Sequence, residues 1–201
     1  MDLYGHQLSA QTREIRILCA ELGIACELVE VNHGEAIYLP EALNPLCKVP
    51  MIDDDGFVLS EVHTIQRYLV ASRGADDSVY PAALQLRAIA DQWLDWQAVR
   101  LTPLSADQLY CRRLNPQVPE ATQRLETSAD TLRQLLPELE IALIEQVIDA
   151  QGLSLVTIAL GVVLDQLVAA GYSLQGWPAI AECQQRWSET IAFKGTRPPP
   201  V

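Results

Sequence analysis

Three short segments carry residue types at spacings that suit chemistry on a small, partly anionic ligand. Ser9-Ala10-Gln11-Thr12-Arg13 puts hydroxyls just ahead of an amphipathic stretch. A hydroxyl at a helix N-terminus lies where a neighbouring thiolate is stabilised. The same hydroxyl, on Ser9 or Thr12, also serves as an ordinary cap that starts the helix. Lys48-Val49-Pro50-Met51-Ile52 opens a strand with a proline, which gives no N–H to the ladder. A cis bond there would present the Val49 backbone to a ligand as a strand edge, whereas a trans bond makes it a plain loop-to-strand proline. Leu59-Ser60-Glu61-Val62-His63 begins a second helix. Its unpaired N–H groups favour a carboxylate and Glu61 suits an amine, so an amino-acid head fits. Ser60 as N-cap, with Glu61 complementing the dipole, explains the same residues without a ligand.

The elements that must position these segments follow from periodicity. Asp2–Tyr4 reads as a short strand. Gln11–Leu22 is an amphipathic helix with Ile15, Leu18, Cys19 and Leu22 at helical spacing, stopped by Gly23. Cys26–Val31 alternates as a half-buried strand does. A polar loop with a short helix spans 32–46. Val49–Ile52 and Phe57–Leu59 flank Asp53-Asp54-Asp55-Gly56, a hairpin signal. The acidic run reads as a solvated turn, because a calcium loop needs spaced acids ending in Glu. Glu61–Ser72 is a helix, and 73–81 is loop-like. Strand signals then stop. Leu84–Arg113 is long and helical. Leu132, Leu135, Leu136, Leu139 and Leu143 form a core stripe in which Pro137 should kink the helix or mark its start. Ser154–Ala170 and Pro178–Phe193 are two further helices, before an extended tail. The expected domains are 1–73 (α/β), a linker 74–82, and an all-helical part 83–201.

Composition excludes several function classes. The chain has 201 residues, is 49% hydrophobic and carries a net charge of -12. It can bury a core and is not disordered in character. The charge argues against nucleic acid and anionic membranes as partners. The N-terminus lacks the basic and apolar regions of a signal peptide, and Leu153–Ala170 is too interrupted to span a membrane, so a cytoplasmic protein is expected. Its five cysteines and three histidines show no metal-ligand spacing, so no metal is expected. Cys19 and Cys26 read as core filler.

In this order and spacing the segments resemble the glutathione transferase family, in its theta-like and related bacterial serine-type branches. Leu3-Tyr4-Gly5, Leu8-Ser9 and Arg13 resemble the family's opening. Asn44-Pro45-Leu46-Cys47-Lys48-Val49-Pro50 is similar to its NP-x-x-KVP segment with a cis proline. Leu59-x-Glu61-x-x-x-Ile65-x-x-Tyr68-Leu69 resembles its glutamate-serine helix start. Arg87-Ala88, Asp91, Leu94 and Trp96-Gln97 resemble its first long helix. Leu139-Glu140, Gly152-Leu153-Ser154-Leu155, Ile158-Ala159, Trp177-Pro178 and Ala192-Phe193 resemble the later ones. The resemblance covers nearly the whole chain.

It implies a thioredoxin-like β-α-β-α-β-β-α domain followed by an all-α domain, in a homodimer. It implies conjugation of the glutathione thiolate to a small electrophile, a detoxification chemistry with glutathione as co-substrate. Ser9 would donate a hydrogen bond to the sulfur and lower the thiol pKa from about 8.5. Val49 and Pro50 would present backbone to the cysteinyl part, and Lys48 would attract the glycyl carboxylate. Glu61 and Val62 would hold the γ-glutamyl head, with Asp91 adding a carboxylate from a second subunit. Gln97, Arg100 and Leu101 are candidates for the electrophile pocket. The sequence also departs from the family. Val62 stands where Ser is usual, so a hydroxyl contact worth about 1.5–3 kcal/mol is missing, roughly a 10- to 150-fold loss in affinity. Gln11 replaces a frequent Pro, and Ser154-x-x-Thr157 replaces Ser-x-x-Asp. Val62 thus keeps open a non-catalytic binding or regulatory protein on the same scaffold.

Overall fold

In a computed structural model the chain is described over residues 1–31, 48–148 and 152–199. It divides into two compact units, Met1–Tyr80 together with the segment from Ile191 onward, and Pro81–Thr190.

The first unit is built on β1 (Asp2–Gly5), α1 (Ala10–Leu22), β2 (Glu27–Glu30), β3 (Met51–Asp54), β4 (Phe57–Ser60) and α2 (Val62–Arg73). The sheet order is β2-β1-β3-β4. β1 and β2 are parallel, joined by α1 as a parallel pair requires. β3 runs antiparallel to both β1 and β4. The β3–β4 turn is tight: Asp55 and Gly56 both have positive φ, and the Gly56 N–H donates to Asp53 at 2.7 Å. The acidic run is more than a solvated turn, because Asp54 accepts from Tyr68 at 2.8 Å and from Arg73 at 2.9 Å, which ties α2 to the hairpin. Leu3, Ile15, Leu18, Ile52, Ile65 and Leu69 are fully buried between helices and sheet. The short helix expected within 32–46 lies outside the described residues.

The second unit is helical. Leu84–Leu114 is one continuous run, as its periodicity predicts, but it is two α-helical stretches, α3 (Leu84–Trp96) and α4 (Thr102–Leu109), each followed by a π-helical turn, Gln97–Leu101 and Tyr110–Leu114. α5 (Ala121–Ile144) continues through Pro137 rather than starting there. α6 (Leu155–Ala169) is buried on nearly all sides, which its apolar sequence predicts. Its start is a capping box: Thr157 N–H donates to Ser154 Oγ at 3.2 Å and Ser154 N–H to Thr157 Oγ1 at 2.7 Å. Thr157 therefore performs the reciprocal contact usually made by an acid. The Glu140 carboxylate of α5 accepts from the Ala179 and Ile180 N–H groups at 2.8 and 3.0 Å. It caps α7 (Pro178–Ser188), whose Trp177 makes no side-chain cap.

The expected helix 178–193 is broken after Ser188, and the last turn, α8 (Ile191–Gly195), belongs to the first unit. Arg13 holds it there. The residue is 4% exposed, and its guanidinium donates to Phe193 O at 3.1 Å and lies 5.4 Å from the centre of the Phe193 ring.

Candidate active site at one end of the sheet

The strand register gathers the three chemistry-bearing segments at one end of the sheet. Tyr4, near the end of β1, pairs with Met51 at the start of β3, which pairs with Ser60 at the end of β4. Ser9 follows β1 by four residues, Val49-Pro50 immediately precedes β3, and Glu61 immediately follows β4. All three leave the sheet on the same edge.

Ser9 is the N-cap of α1, and its Oγ accepts from the Thr12 N–H at 3.3 Å. That choice settles which hydroxyl caps the helix. The cap uses a lone pair, so the hydroxyl hydrogen stays available, and no acceptor among the described residues takes it. A hydroxyl held this way donates at the positive end of a helix dipole, where an anion is favoured. The loop carrying it is fixed by His6, whose carbonyl accepts from Ser9 N–H at 2.9 Å and whose Nδ1 accepts from Leu8 N–H at 3.1 Å. His6 Nε2 lies 3.6 Å from Glu30, which also accepts from Gln7 N–H at 3.0 Å. The sequence reading considered His6 only as a metal ligand. Its ordinary loop setting gives no periodic signal for this bracing role.

Glu61, not Ser60, occupies the N-cap position of α2. Its φ is 72°, a left-handed value for a residue with a side chain, and its carboxylate makes no cap bond. Such a conformation costs on the order of 1–3 kcal/mol and is concentrated at functional sites. The first intrahelical bond runs from Ile65 N–H to Glu61 O at 2.9 Å, so the N–H groups of Val62, His63 and Thr64 are the helix's unpaired donors. The Val62 side chain is 6% exposed and packs into the unit. Beneath this turn His63 Nε2 lies 3.5 Å from Glu14 of α1, both side chains buried.

The Val49–Pro50 bond is cis. Lys48 is exposed and Pro50 buried. Asp91, Gln97, Arg100 and Leu101 lie in the second unit. Asp91 is half-buried on α3. Gln97 and Leu101 are turned into the helical core: Gln97 Nε2 donates to Ala159 O at 3.3 Å and Leu101 is fully buried. They present no surface to a ligand, which leaves Arg100 as the exposed member of that trio, 4.0 Å from Glu138. Arg13, basic and close to Ser9 in sequence, is committed to α8. Tyr4 is half-buried on β1, and partial burial beside Asp2 and Asp53 raises its pKa, which does not suit an activating phenolate. Cys19 and Cys26 interact directly. The Cys26 thiol is lowered by the hydrogen bond from Cys19, and Cys19 is raised by the same bond and by burial. Among the described residues no cluster of His, Cys, Asp and Glu could hold a metal ion, and no helix is long and apolar enough to cross a membrane.

Comparison with known proteins agrees with this arrangement. Residues 3–76 match the family described as glutathione S-transferase, N-terminal domain. The chain is 30% identical to glutathione S-transferase theta-2 of Mus musculus, over 92% of this chain and 80% of that one. It is 37% identical to glutathione S-transferase 1 of Manduca sexta over about half of each, 51% and 49%. Among solved structures, a human theta-class glutathione transferase in complex with the glutathione conjugate of 1-menaphthyl sulfate superposes with a TM-score of 0.83 at 27% identity, covering 97% of this chain and 86% of that one. Glutathione transferase F2 of Populus trichocarpa superposes at 0.84 with 20% identity, covering 97% and 96%, a likeness of fold. With its four-stranded mixed sheet, thioredoxin-like first unit and helical second unit, the chain belongs to the glutathione S-transferase family.

Proposed function

We propose that this protein binds glutathione at the sheet edge formed by Ser9, Val49-Pro50 and Glu61 and conjugates its thiolate to a small electrophile. The observation that carries the reading is the state of Ser9: a hydroxyl fixed as an N-cap acceptor with its hydrogen still available. A neutral donor to sulfur stabilises thiolate over thiol, which makes the sulfur nucleophilic near neutral pH. The thiolate then attacks an electrophilic carbon, forming a C–S bond as the leaving group departs with its electron pair, or a peroxide oxygen, where the O–O bond breaks to give a sulfenic acid on sulfur and an alkoxide that takes up a proton.

The other residues supply orientation. The unpaired N–H groups of Val62, His63 and Thr64 suit the γ-glutamyl carboxylate, and the uncapped Glu61 carboxylate suits its amine. The Val49 backbone pairs with the cysteinyl amide, Pro50 shapes that edge, and Lys48 attracts the glycyl carboxylate. Asp91 is assigned to the same amine from a second copy of the chain, in a cytoplasmic homodimer. Exposed Leu84, Leu86 and Ile89 on α3 supply apolar surface for such a copy. Arg100 is the remaining candidate beside the electrophile. The role in the cell is detoxification.

Val62 favours a second reading, a binding or regulatory protein with weak affinity for glutathione. Its buried isopropyl group offers no hydroxyl to the γ-glutamyl carboxylate. Calorimetric titration with glutathione, together with conjugation assays on an aryl halide, separates the two. The enzyme reading expects binding, turnover, and a Ser9→Ala variant that binds but turns over at least tenfold more slowly. Binding without turnover in the unaltered protein selects the second reading. Val62→Ser is expected to tighten binding in either case.

A further inference from the structure

Two thiols meet at the end of the first unit's sheet opposite Ser9. Cys19 sits in the last turns of α1 and is 2% exposed, and Cys26 sits just before β2 and is half-buried. The chain between them is folded back by bonds at both ends. Ile24 N–H donates to Cys19 O at 2.8 Å and Gly23 N–H to Ala20 O at 3.4 Å, a Schellman-type turn in which Gly23 takes a φ of 65°. Glu27 N–H then donates to Met1 O at 3.2 Å, and Glu27 pairs with Asp2 in the parallel ladder. Helix end and strand start are thus both fixed, and they bring the two side chains together: the Cys19 thiol donates to the Cys26 sulfur. Cys111 and Cys183, by contrast, are buried in the second unit.

The two members of the pair differ in ways that divide the chemistry. Cys26 is the more exposed, so an oxidant in solvent reaches it first. The S–H of Cys19 stabilises its thiolate, which is the reactive form. Cys19 is shielded and stays a thiol, held up first by that same hydrogen bond and then by burial. A sulfenic acid condenses with a neighbouring thiol, and Cys19 already stands beside the sulfur that would carry it. Thiols that hydrogen-bond have side chains directed at each other, as a bridge requires. Core packing alone asks only for small apolar volume at these positions, not for a contact between sulfurs.

We propose that Cys26 and Cys19 are a peroxide-sensitive modification site, in which Cys26 is oxidised and Cys19 closes a reversible disulfide between the end of α1 and the start of β2. The Cys26 thiolate attacks a peroxide oxygen, the O–O bond breaks, and the sulfur becomes a sulfenic acid while the departing alkoxide takes up a proton. The Cys19 sulfur then attacks the Cys26 sulfur. An S–S bond forms, and the sulfenic oxygen leaves as water with the Cys19 proton. The two thiols lose two electrons in all, and the peroxide is reduced to alcohol and water. The site lies wholly within the first unit and does not depend on the glutathione reading.

The test exposes the full reduced chain to hydrogen peroxide near neutral pH, with no glutathione present. Remaining thiols are blocked with iodoacetamide, and peptides are mapped without reduction. The expected result is a Cys19–Cys26 bridge that forms before any oxidation of Cys111 or Cys183 and is reversed by dithiothreitol. Cys26→Ser should leave Cys19 reduced, with thiol loss slowed roughly tenfold or more. Cys19→Ser should instead accumulate a Cys26 sulfenic acid that dimedone traps. Circular dichroism checks that both variants keep their fold, and the mapping of the unaltered chain stands without them. A bridge from Cys26 to Cys47, which lies outside the described residues, or to a second chain would overturn the proposal. So would sulfenic or sulfinic acid building up on Cys26 in the unaltered chain, earlier oxidation of Cys111 or Cys183, or oxidation of Cys19 at full rate in Cys26→Ser.

Discussion

Gly5 and Thr12 meet with no room for a methyl group between them. A Cβ on Gly5 would lie 2.8 Å from Thr12 Cγ2 and 3.1 Å from Thr12 Cβ. Thr12 is 1% exposed, so it has nowhere to retreat. Its own N–H is the donor to Ser9 Oγ. The last residue of β1 and the first turn of α1 are thus locked together, and the lock holds Ser9. Gly5→Ala should destabilise the protein by about 1–3 kcal/mol, the usual range for overpacking. Urea denaturation measures the loss. A variant of unchanged stability would mean that the β1–α1 junction is loose.

Glu61 shows the opposite economy, a strained residue retained. Replacing it with glycine removes the left-handed penalty of about 1–3 kcal/mol and adds back some unfolded-state entropy, about 0.4–1 kcal/mol. Glu61→Gly should therefore be more stable by about 1 kcal/mol. The same variant loses the carboxylate, and its affinity for glutathione should fall at least tenfold, the scale of a charge-assisted hydrogen bond. Thermal unfolding and calorimetry on one preparation test both halves.

Arg13 should tolerate no conservative exchange. Its planar fork bonds Phe193 O and also stacks on the ring, while its Nε reaches toward Thr196 at 3.5 Å. Lysine keeps the charge but not the fork or the stack. Arg13→Lys should cost about 1.5–3 kcal/mol in urea denaturation. It should also raise amide exchange at Phe193 and Thr196 more than at Leu3 or Ile52. Equal exchange at all four would mean that α8 is held by other contacts.

Much of this fold is legible in the sequence because it rests on periodicity and turn chemistry. Gly23 stops α1 where expected, and the Asp53–Gly56 turn closes the expected hairpin. The run 84–113 is helical as its pattern requires, although nothing in the pattern marks the two π-turns. What local pattern does not mark is tertiary. Nothing near Arg13 in sequence points to its partner, and only the folded chain brings Phe193, 180 positions later, to it. Gln97 is polar and sits on a helix, yet α6 supplies a carbonyl that draws it inward. Pro137 left two placements open, inside a helix or at its start, and α5 runs through it. For the site, residue types and order pointed to Ser9, Val49-Pro50 and Glu61. What the sequence could not give is the register Tyr4–Met51–Ser60 that aligns them, or the φ that turns Glu61 away from an ordinary cap.

The Cys19–Cys26 pair predicts a pH-dependent difference in reactivity. Cys19 is 2% exposed and donates to Cys26, so its pKa is raised and Cys26's is lowered. The thiolate is the reactive form, so below the ordinary thiol range Cys26 holds more of it than an unperturbed cysteine does. Iodoacetamide at pH 7 should modify Cys26 well before Cys19, with the Cys26 rate levelling off at lower pH than that of a free thiol. Peptide mapping over a pH series reads both rates. Equal labelling, or faster labelling of Cys19, contradicts the pairing.

If the Ser9 hydroxyl stabilises a glutathione thiolate, the ultraviolet thiolate absorbance of bound glutathione reports it. The titration is run over pH with the unaltered protein and with Ser9→Ala, each saturated with glutathione. A bound-thiol pKa below the ordinary value of about 8.5 is expected in the unaltered protein, returning by about a unit or more toward it in Ser9→Ala. The same pKa in both proteins would contradict it.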